Sequence, residues 1–314
     1  MNGLENSKRL FDSFGRQMLE NNFSPYLDRI ACGLAGQGSE CFGFDDEISR
    51  DHDYGAGFCI WVPEQVYCEV GEKLQQEYRK VLNEAQEAQK QVFFSEGRTG
   101  ALSIDRFYRN LIGRNRAPET LEEWLSIPER YLAVATNGEV FCDPLGEFTE
   151  IRNKLLGFYP EEVRKKKLAA NLATMAQAGQ YNYSRSLRRR HYTAAYLAAG
   201  EFVRAALGTV FLLNKKYMPF YKWSFRAAEN LDRCKDVISN LRLFIMLSDI
   251  SDQEQKKDII EKVCSGIINE LIFQNLSDDG DSFLQYHAER IYAQITDTSI
   301  GKKYILVGGT QING

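Results

Sequence analysis

Residues 33–58 read GLAGQGSECFGFDDEISRDHDYGAGF, and this stretch decides the fold. It begins inside a short apolar run, Arg29-Ile30-Ala31-Cys32-Gly33-Leu34-Ala35, which stops at Gly36-Gln37-Gly38-Ser39. Such a run broken by glycines predicts a strand entering a turn, with a helix opening at Ser39. Asp51-His52-Asp53 follows after a spacer of eleven residues, and Tyr54 to Val62 (YGAGFCIWV) is a second strand candidate. Asp51 and Asp53 are two apart, so on an extended strand both carboxylates project from one face. Adjacent carboxylates repel. Magnesium offsets that repulsion, and it is commonly held by one or two carboxylates together with substrate phosphates. Gly38 and Ser39, at a strand end and helix start, supply backbone N–H groups and a hydroxyl for phosphate oxygens. Glu40, Asp45, Asp46 and Glu47 crowd the same stretch as structural or solvated side chains, with Asp45 or Asp46 suited to capping a turn. His52 lies between the two aspartates, so it faces the other side of the strand and serves packing.

Outward from this stretch the chain changes character once. Leu10, Phe11, Phe14 and Met18 recur at helical spacing and predict an amphipathic N-terminal helix. Pro63 can open a helix that carries Val66, Val70, Leu74, Tyr78 and Leu82 on one face. Gln91 to Phe94 and Ala101 to Ile104 read as a hairpin through Gly97-Arg98-Thr99-Gly100. Tyr131 to Thr136 and Val140 to Cys142 read as a second, turned at Asn137-Gly138. After Asp143-Pro144-Leu145-Gly146 the strand signals stop. Helical periodicity then runs from Pro160 through Leu168, Leu172 and Met175, and from about Ser186 to Leu213. It resumes through Leu231, Ile238, Leu241 and Ile245, over Ile259–Leu271, and over Phe283–Ile295. The expectation is an α+β fold: a mixed sheet with helices over residues 1–150, then an all-α helical domain over 151–314. The closing KKYILVGGTQING reads as either a docked terminal strand or a frayed tail.

Composition narrows the function classes. The formal net charge of -4 demands neither nucleic acid nor an anionic membrane as partner. The start, MNGLENSKRLFDSFG, lacks the apolar core of a signal peptide. Tyr192 to Leu213 is the most apolar long stretch, but Glu201 and Arg204 near its middle argue against a membrane span. Seven cysteines, an odd number with no CxxC spacing, point to reduced thiols in a cytoplasmic protein. His191 and His287 have no matching cluster and read as structural. Two basic runs stand out: Arg164-Lys165-Lys166-Lys167, and Arg185 with Arg188, Arg189 and Arg190. They read as solvated helix faces. Converging at a cleft, they would suit a phosphate-rich acceptor such as RNA. The absence of a P-loop or an HRD/DFG-like set weighs against a kinase.

The ordered pair Gly38-Ser39 and Asp51-x-Asp53 resembles the nucleotidyltransferase superfamily that includes DNA polymerase β and the aminoglycoside nucleotidyltransferases. A nearer likeness is to a bacterial family called domain of unknown function 4037. Its pattern GxGSExxGFDDExSxDHD is matched by Gly36-Gln37-Gly38-Ser39-Glu40, Gly43-Phe44-Asp45-Asp46-Glu47, Ser49 and Asp51-His52-Asp53. Further similarity falls at Trp124-Leu125-Ser126-Ile127-Pro128, Gly138-Glu139-Val140-Phe141-Cys142-Asp143 and Tyr217-Met218-Pro219-Phe220-Tyr221-Lys222-Trp223. The resemblance implies a polymerase-β-like domain that moves a nucleoside monophosphate from a nucleoside triphosphate to an acceptor hydroxyl and releases pyrophosphate. It implies two magnesium ions, with manganese as the alternative, on Asp51, Asp53 and a third carboxylate. Asp105, closing the strand-like Ala101-Leu102-Ser103-Ile104, is preferred for that third place, and Asp143 is second. Gly38, Ser39 and Glu40 would hold the nucleotide, and Lys222 would reach the triphosphate as a point charge. The acceptor, a small molecule, RNA or protein, is left open, as is the oligomeric state. The alternative from another class is a nucleotide-binding regulatory or interaction module that does not turn over.

Overall fold

The apolar run before the glycine turn forms strand β1 (Ala31–Leu34) in the computed structural model of the chain, which describes residues 2–46, 57–89, 98–278 and 280–310, with backbone alone for 87–89. The chain divides into two compact units, Met1–Ala117 with Tyr131–Gly157, and Pro118–Arg130 with Phe158–Gly314. The second unit therefore takes a segment that lies inside the first in chain order. The fold is α+β: one small mixed sheet, in the first unit, and helices elsewhere among the described residues.

In the first unit, α1 (Gly3–Leu10) runs through a π-helical turn at Phe11–Gly15 into α2 (Arg16–Asn22). Asn2 starts α1 with a reciprocal capping box: its side chain accepts from Glu5 N–H, and the Glu5 side chain returns to its backbone. Then come β1, β2 (Cys59–Val62), α3 (Glu64–Gln89), β3 (Gly100–Ser103) and α4 (Ile104–Ile112). Next, α5 (Leu121–Ser126) belongs to the second unit, and the division falls inside α6 (Glu129–Thr136). The first unit closes with β4 (Glu139–Cys142) and α7 (Glu147–Leu156). The described strands lie in the order β3-β2-β1-β4. β1 is antiparallel to β2 and β4, whereas β2 and β3 run parallel.

Alternation along β2 sets the two faces of the sheet. Phe58, Ile60 and Val62 join Cys32 in a core with Phe11 and Met18 on one side of the chain and Val66, Leu74 and Tyr78 of α3. Trp61 points the other way, where its ring stacks on Phe148 of α7 at 3.9 Å between centroids and meets Phe107 of α4 edge-on at 5.5 Å. With both faces covered, β1 and β2 are apolar from end to end and wholly buried.

One expected hairpin lies partly outside the described residues, and the other does not form as read. Residues 91–94 lie outside the described residues, and β3 finds its partner in parallel register on β2, Cys59 opposite Gly100 and Val62 opposite Ser103. A parallel neighbour sits far along the chain, so nothing in the local pattern of 91–104 could announce it. Tyr131 to Thr136 is helical, the end of α6. A six-residue apolar run fits a strand or a buried helix equally well. Asn137-Gly138 is a turn, but it joins a helix to β4, with Gly138 in the left-handed region at φ 64°.

The second unit is built around α8 (Glu161–Met175), in which every residue from Leu168 to Ala173 is buried. It continues through a π-helical stretch at Ala176–Tyr183 into α9 (Ser184–Arg188). After it come α10 (Tyr192–Leu213), α11 (Tyr221–Ala228), α12 (Lys235–Met246), α13 (Gln253–Phe273), α14 (Leu284–Ala293) and α15 (Thr298–Gly301). The single helix expected from 186 to 213 breaks at Arg189–His191, where Arg190 adopts φ 59°. α10 is long and apolar enough to cross a membrane, yet most of it is buried, and Ala205–Leu213 lies entirely inside the unit.

The first basic run is not a solvated face. Arg164, Lys166 and Lys167 are 3%, 0% and 5% exposed. Arg164 Nε donates to the Leu212 carbonyl at 2.9 Å, near the end of α10, while its other nitrogens pair with Glu161 and Gln274. Lys166 Nζ donates to the carbonyls of Lys303 and Tyr304, each at 2.8 Å, and Lys167 Nζ to Gly308 at 3.0 Å. Asn171 adds a pair of hydrogen bonds with Thr310. These buried polar heads answer the expectation for the closing segment: residues 302–310 are docked on α8, as turns rather than as a strand. The second run does reach solvent at Arg188, Arg189 and Arg190, while Arg185 packs over the Tyr181 ring at 4.7 Å.

Candidate functional site

The glycine turn after β1 is held from a distance along the chain, by Asn137 and Arg152. Gly36 N–H donates to Asn137 Oδ1 at 3.0 Å, and Asn137 Nδ2 donates to the Gly36 carbonyl at 2.7 Å. One amide thus satisfies both backbone groups of the residue that leaves the strand, at φ 147°. Gly138 N–H donates to the Cys41 carbonyl at 2.8 Å. A Cβ on Gly138 would stand 1.8 Å from the Leu34 carbonyl oxygen, so no other residue fits without moving the strand. Arg152 of α7 fixes this clamp in turn, donating to the carbonyls of Asn137 at 2.8 Å and Gly138 at 3.2 Å.

Beyond Gly36, the helix expected at Ser39 is a single 3-10 turn, Glu40–Phe42, ended by Gly43 at φ 67°. Its dipole is too short to matter for an anion; the useful groups are the backbone donors of the turn itself. The Ser39 carbonyl accepts from Phe44 N–H at 2.9 Å, and the Gly38 carbonyl from Cys41 N–H at 3.2 Å. Among the described residues, nothing accepts a hydrogen bond from the N–H of Gln37, Gly38 or Ser39. The Ser39 hydroxyl lies 3.5 Å from Glu40 Oε2, and the Glu40 carboxylate lies over Gly38. Asp45 Oδ2 accepts from Gly3 N–H at 2.8 Å and so ties this loop to the start of α1.

Strand register decides which carboxylates share this end of the sheet. Gly33 pairs with Cys59, so the turn after Leu34 lies at the end where β2 begins. Asp51 and Asp53, which precede β2 in sequence, lie outside the described residues, as do His52, Glu47 and Ser49. Asp105 follows the far end of β3, because Ser103 pairs with Val62. It sits in the first turn of α4, which Ser103 caps, and accepts from Asn115 Nδ2 at 2.8 Å. Asp143 follows the far end of β4, next to the Cys32–Cys142 pair. Both its oxygens cap α7, accepting from Gly146 N–H at 3.0 Å and Thr149 N–H at 2.8 Å. A four-residue strand spans about 10 Å or more. Both candidates for the third carboxylate therefore stand across the sheet from the glycine turn. Both act on Glu147 of α7: burial raises its carboxyl above the ordinary value, and the charges of Asp105 and Asp143 add to the rise.

The remaining candidates separate as follows. Lys222 is exposed on α11 in the second unit, its Nζ 4.3 Å from the Trp223 ring. His191 is exposed at the start of α10. His287 is buried with both ring nitrogens engaged, Nδ1 with Ser277 Oγ at 2.8 Å and Nε2 with the Asp281 carbonyl at 2.7 Å, which is a structural arrangement. All seven cysteines are free thiols, and burial raises Cys59, beside the turn, to about 12.

Residues 124–224 match the model of a family described as Domain of unknown function (DUF4037). The segment runs from α5 into α11 and holds the three blocks at Trp124–Pro128, Gly138–Asp143 and Tyr217–Trp223. It includes Asn137, Gly138 and Arg152, which brace the glycine turn, but neither the turn nor Asp51 and Asp53. No curated protein matches the chain.

Proposed function

We propose that the protein transfers a nucleoside monophosphate from a nucleoside triphosphate to an acceptor hydroxyl. The observation that carries this reading is the clamped turn at Gly36–Ser39. Its donors follow the clamped Gly36 at the end of the sheet where β2 begins, and Asp51 and Asp53 precede Cys59 by eight and six residues. In the reaction the acceptor oxygen attacks the α-phosphorus, the bond to the oxygen bridging the α- and β-phosphates breaks, and pyrophosphate leaves. The turn orients phosphate oxygens through the N–H groups of Gln37, Gly38 and Ser39 and the Ser39 hydroxyl, so its contribution is positioning and electrostatics. Asp51 and Asp53 are the residues that would hold magnesium or manganese, whose charge would offset that of the triphosphate. Glu40 sets its carboxylate against the turn, beside Gly38 and the Ser39 hydroxyl. The reading places the protein in the cytoplasm, with reduced thiols and nucleoside triphosphate at hand.

A second reading, a nucleotide-binding module that does not turn over, draws support from one specific observation: Asp105 and Asp143 both stand at the far end of the sheet. The two are separated by incubating the chain with each of the four α-labelled triphosphates, magnesium or manganese, and a cell extract, and weighing the modified acceptor. Transfer of label that vanishes in Asp51→Asn/Asp53→Asn is the expected result. Triphosphate binding with no pyrophosphate from any acceptor would establish the silent module, and no binding at all would remove both.

A further inference from the structure

The second unit contains a cavity of about 820 Å³, and every residue lining it belongs to that unit. Its walls are mainly apolar, with Val203 and Leu207 of α10, Met218, Phe225 and Phe244 among them. Two charged side chains in this wall have unanswered polar atoms. Glu129 is 8% exposed; its Oε1 accepts from Met218 N–H at 2.9 Å, while Oε2 is buried with no partner among the described residues. Arg204 pairs with Glu201 through Nη2, yet its Nε and Nη1 are buried and likewise without a partner among the described residues. Burial raises the Glu129 carboxyl above its ordinary value, although the nearby Lys167 draws it down. Lys167 is committed to the Gly308 carbonyl and does not hydrogen-bond this oxygen.

Buried polar atoms in folded proteins almost always have partners, and those that lack one on side chains lining a large apolar cavity mark where a ligand's polar groups belong. The needs here are of opposite kind. Glu129 Oε2 calls for a donor, and Arg204 Nε and Nη1 call for acceptors. A purely apolar ligand would leave both unanswered. A phosphate-rich ligand would waste the apolar walls.

We infer that this cavity binds a small amphiphilic organic acid whose apolar body fills the space between α10 and α11, whose acidic group pairs with Arg204, and whose N–H or O–H donates to Glu129. This site is independent of the glycine turn, and it stands whether or not the chain transfers nucleotides.

A dye with these three features tests the inference. 8-Anilinonaphthalene-1-sulfonate carries an aromatic body, an anilino N–H and a sulfonate, and N-phenyl-1-naphthylamine is the same body without the acid. Both are titrated by fluorescence against the full chain. Gly200 lines the cavity at an exposed position of α10 where an added Cβ meets nothing within 4 Å, so Gly200→Phe obstructs the cavity without disturbing the fold. Each dye is expected to saturate one site on the wild type and to bind at least tenfold more weakly to Gly200→Phe. Arg204→Met is expected to weaken the sulfonate dye about tenfold while leaving the neutral dye within twofold. Glu129→Gln, which keeps an oxygen for Met218 N–H, is expected to weaken both dyes. The inference is overturned if neither dye saturates a site, if Gly200→Phe binds them as the wild type does, or if Arg204→Met shifts both dyes equally.

Discussion

Replacing Asn137 by alanine isolates the clamp on the glycine turn. The substitution removes two hydrogen bonds, at 3.0 and 2.7 Å, and leaves the N–H and carbonyl of partly buried Gly36 without their partner. Arg152 donates to the backbone carbonyls of 137 and 138, which alanine retains, so the rest of the brace stays in place. A partly buried hydrogen bond contributes a net ~0.5–1.5 kcal/mol, and the pair therefore about 1–3 kcal/mol. Unfolding of the first unit can be followed alone, because Trp61 stacks on Phe148 within it, whereas Trp124 and Trp223 belong to the second. In a Trp124→Phe/Trp223→Phe background, Asn137→Ala should move the Trp61 urea midpoint down by that free energy with an unchanged slope. Exchange of the Gly36 amide should quicken about tenfold or more, since one bond's worth of protection is lost locally. Weaker triphosphate binding should accompany both changes. A Trp61 transition within about 0.3 kcal/mol of the parent, with Gly36 exchange unaltered, would refute the clamp as the element that sets the turn.

Four other outcomes follow from the same geometry. Asp105→Asn should leave label transfer within about threefold of wild type, whereas Asp51→Asn or Asp53→Asn should cost more than a hundredfold; equal losses would return Asp105 to the site. Arg164→Met should destabilise the second unit by about 2–4 kcal/mol, because it strips a buried charge from Glu161 and a donor from the Leu212 carbonyl, and it should leave RNA retention on a filter unchanged. Burial lowers Lys166 from 10.5 to about 8, so between those values the unfolded chain holds a proton the folded chain has released. Stability of the second unit should accordingly rise with pH across that window, with the full penalty present below about 8, and Lys166→Met should flatten the slope in denaturant titrations at pH 8 to 10.5. Finally, Gly200→Ala should raise the melting temperature through a gain of about 0.5–1 kcal/mol in helix propensity, its Cβ facing open space; a lower melting temperature would contradict the local geometry.

The strand and turn at residues 31–39 were legible because an apolar run and two glycines are local signals. The helical run of residues 161–293 was legible because spacing along one helix is also local. Asp45 suits a turn cap by its local sequence, but its partner, Gly3 at the start of α1, lies 42 residues away. Asn137 announces only a turn locally, since its hydrogen bonds cross 101 residues to Gly36.

By itself the amino-acid order determined what each segment can become over a few turns or one strand, because backbone propensity and side-chain periodicity act between near neighbours. Only tertiary packing decided the partners. The parallel alignment of β3 on β2 set Asp105 across the sheet from Gly38 and Ser39. The docking of residues 302–310 on α8 turned Lys166 and Lys167 from apparent surface charges into buried donors. Lysine, arginine and aspartate carry the same charge wherever they stand in the chain; whether they meet water, a carbonyl or a ligand depends on contacts between residues a hundred or more positions apart.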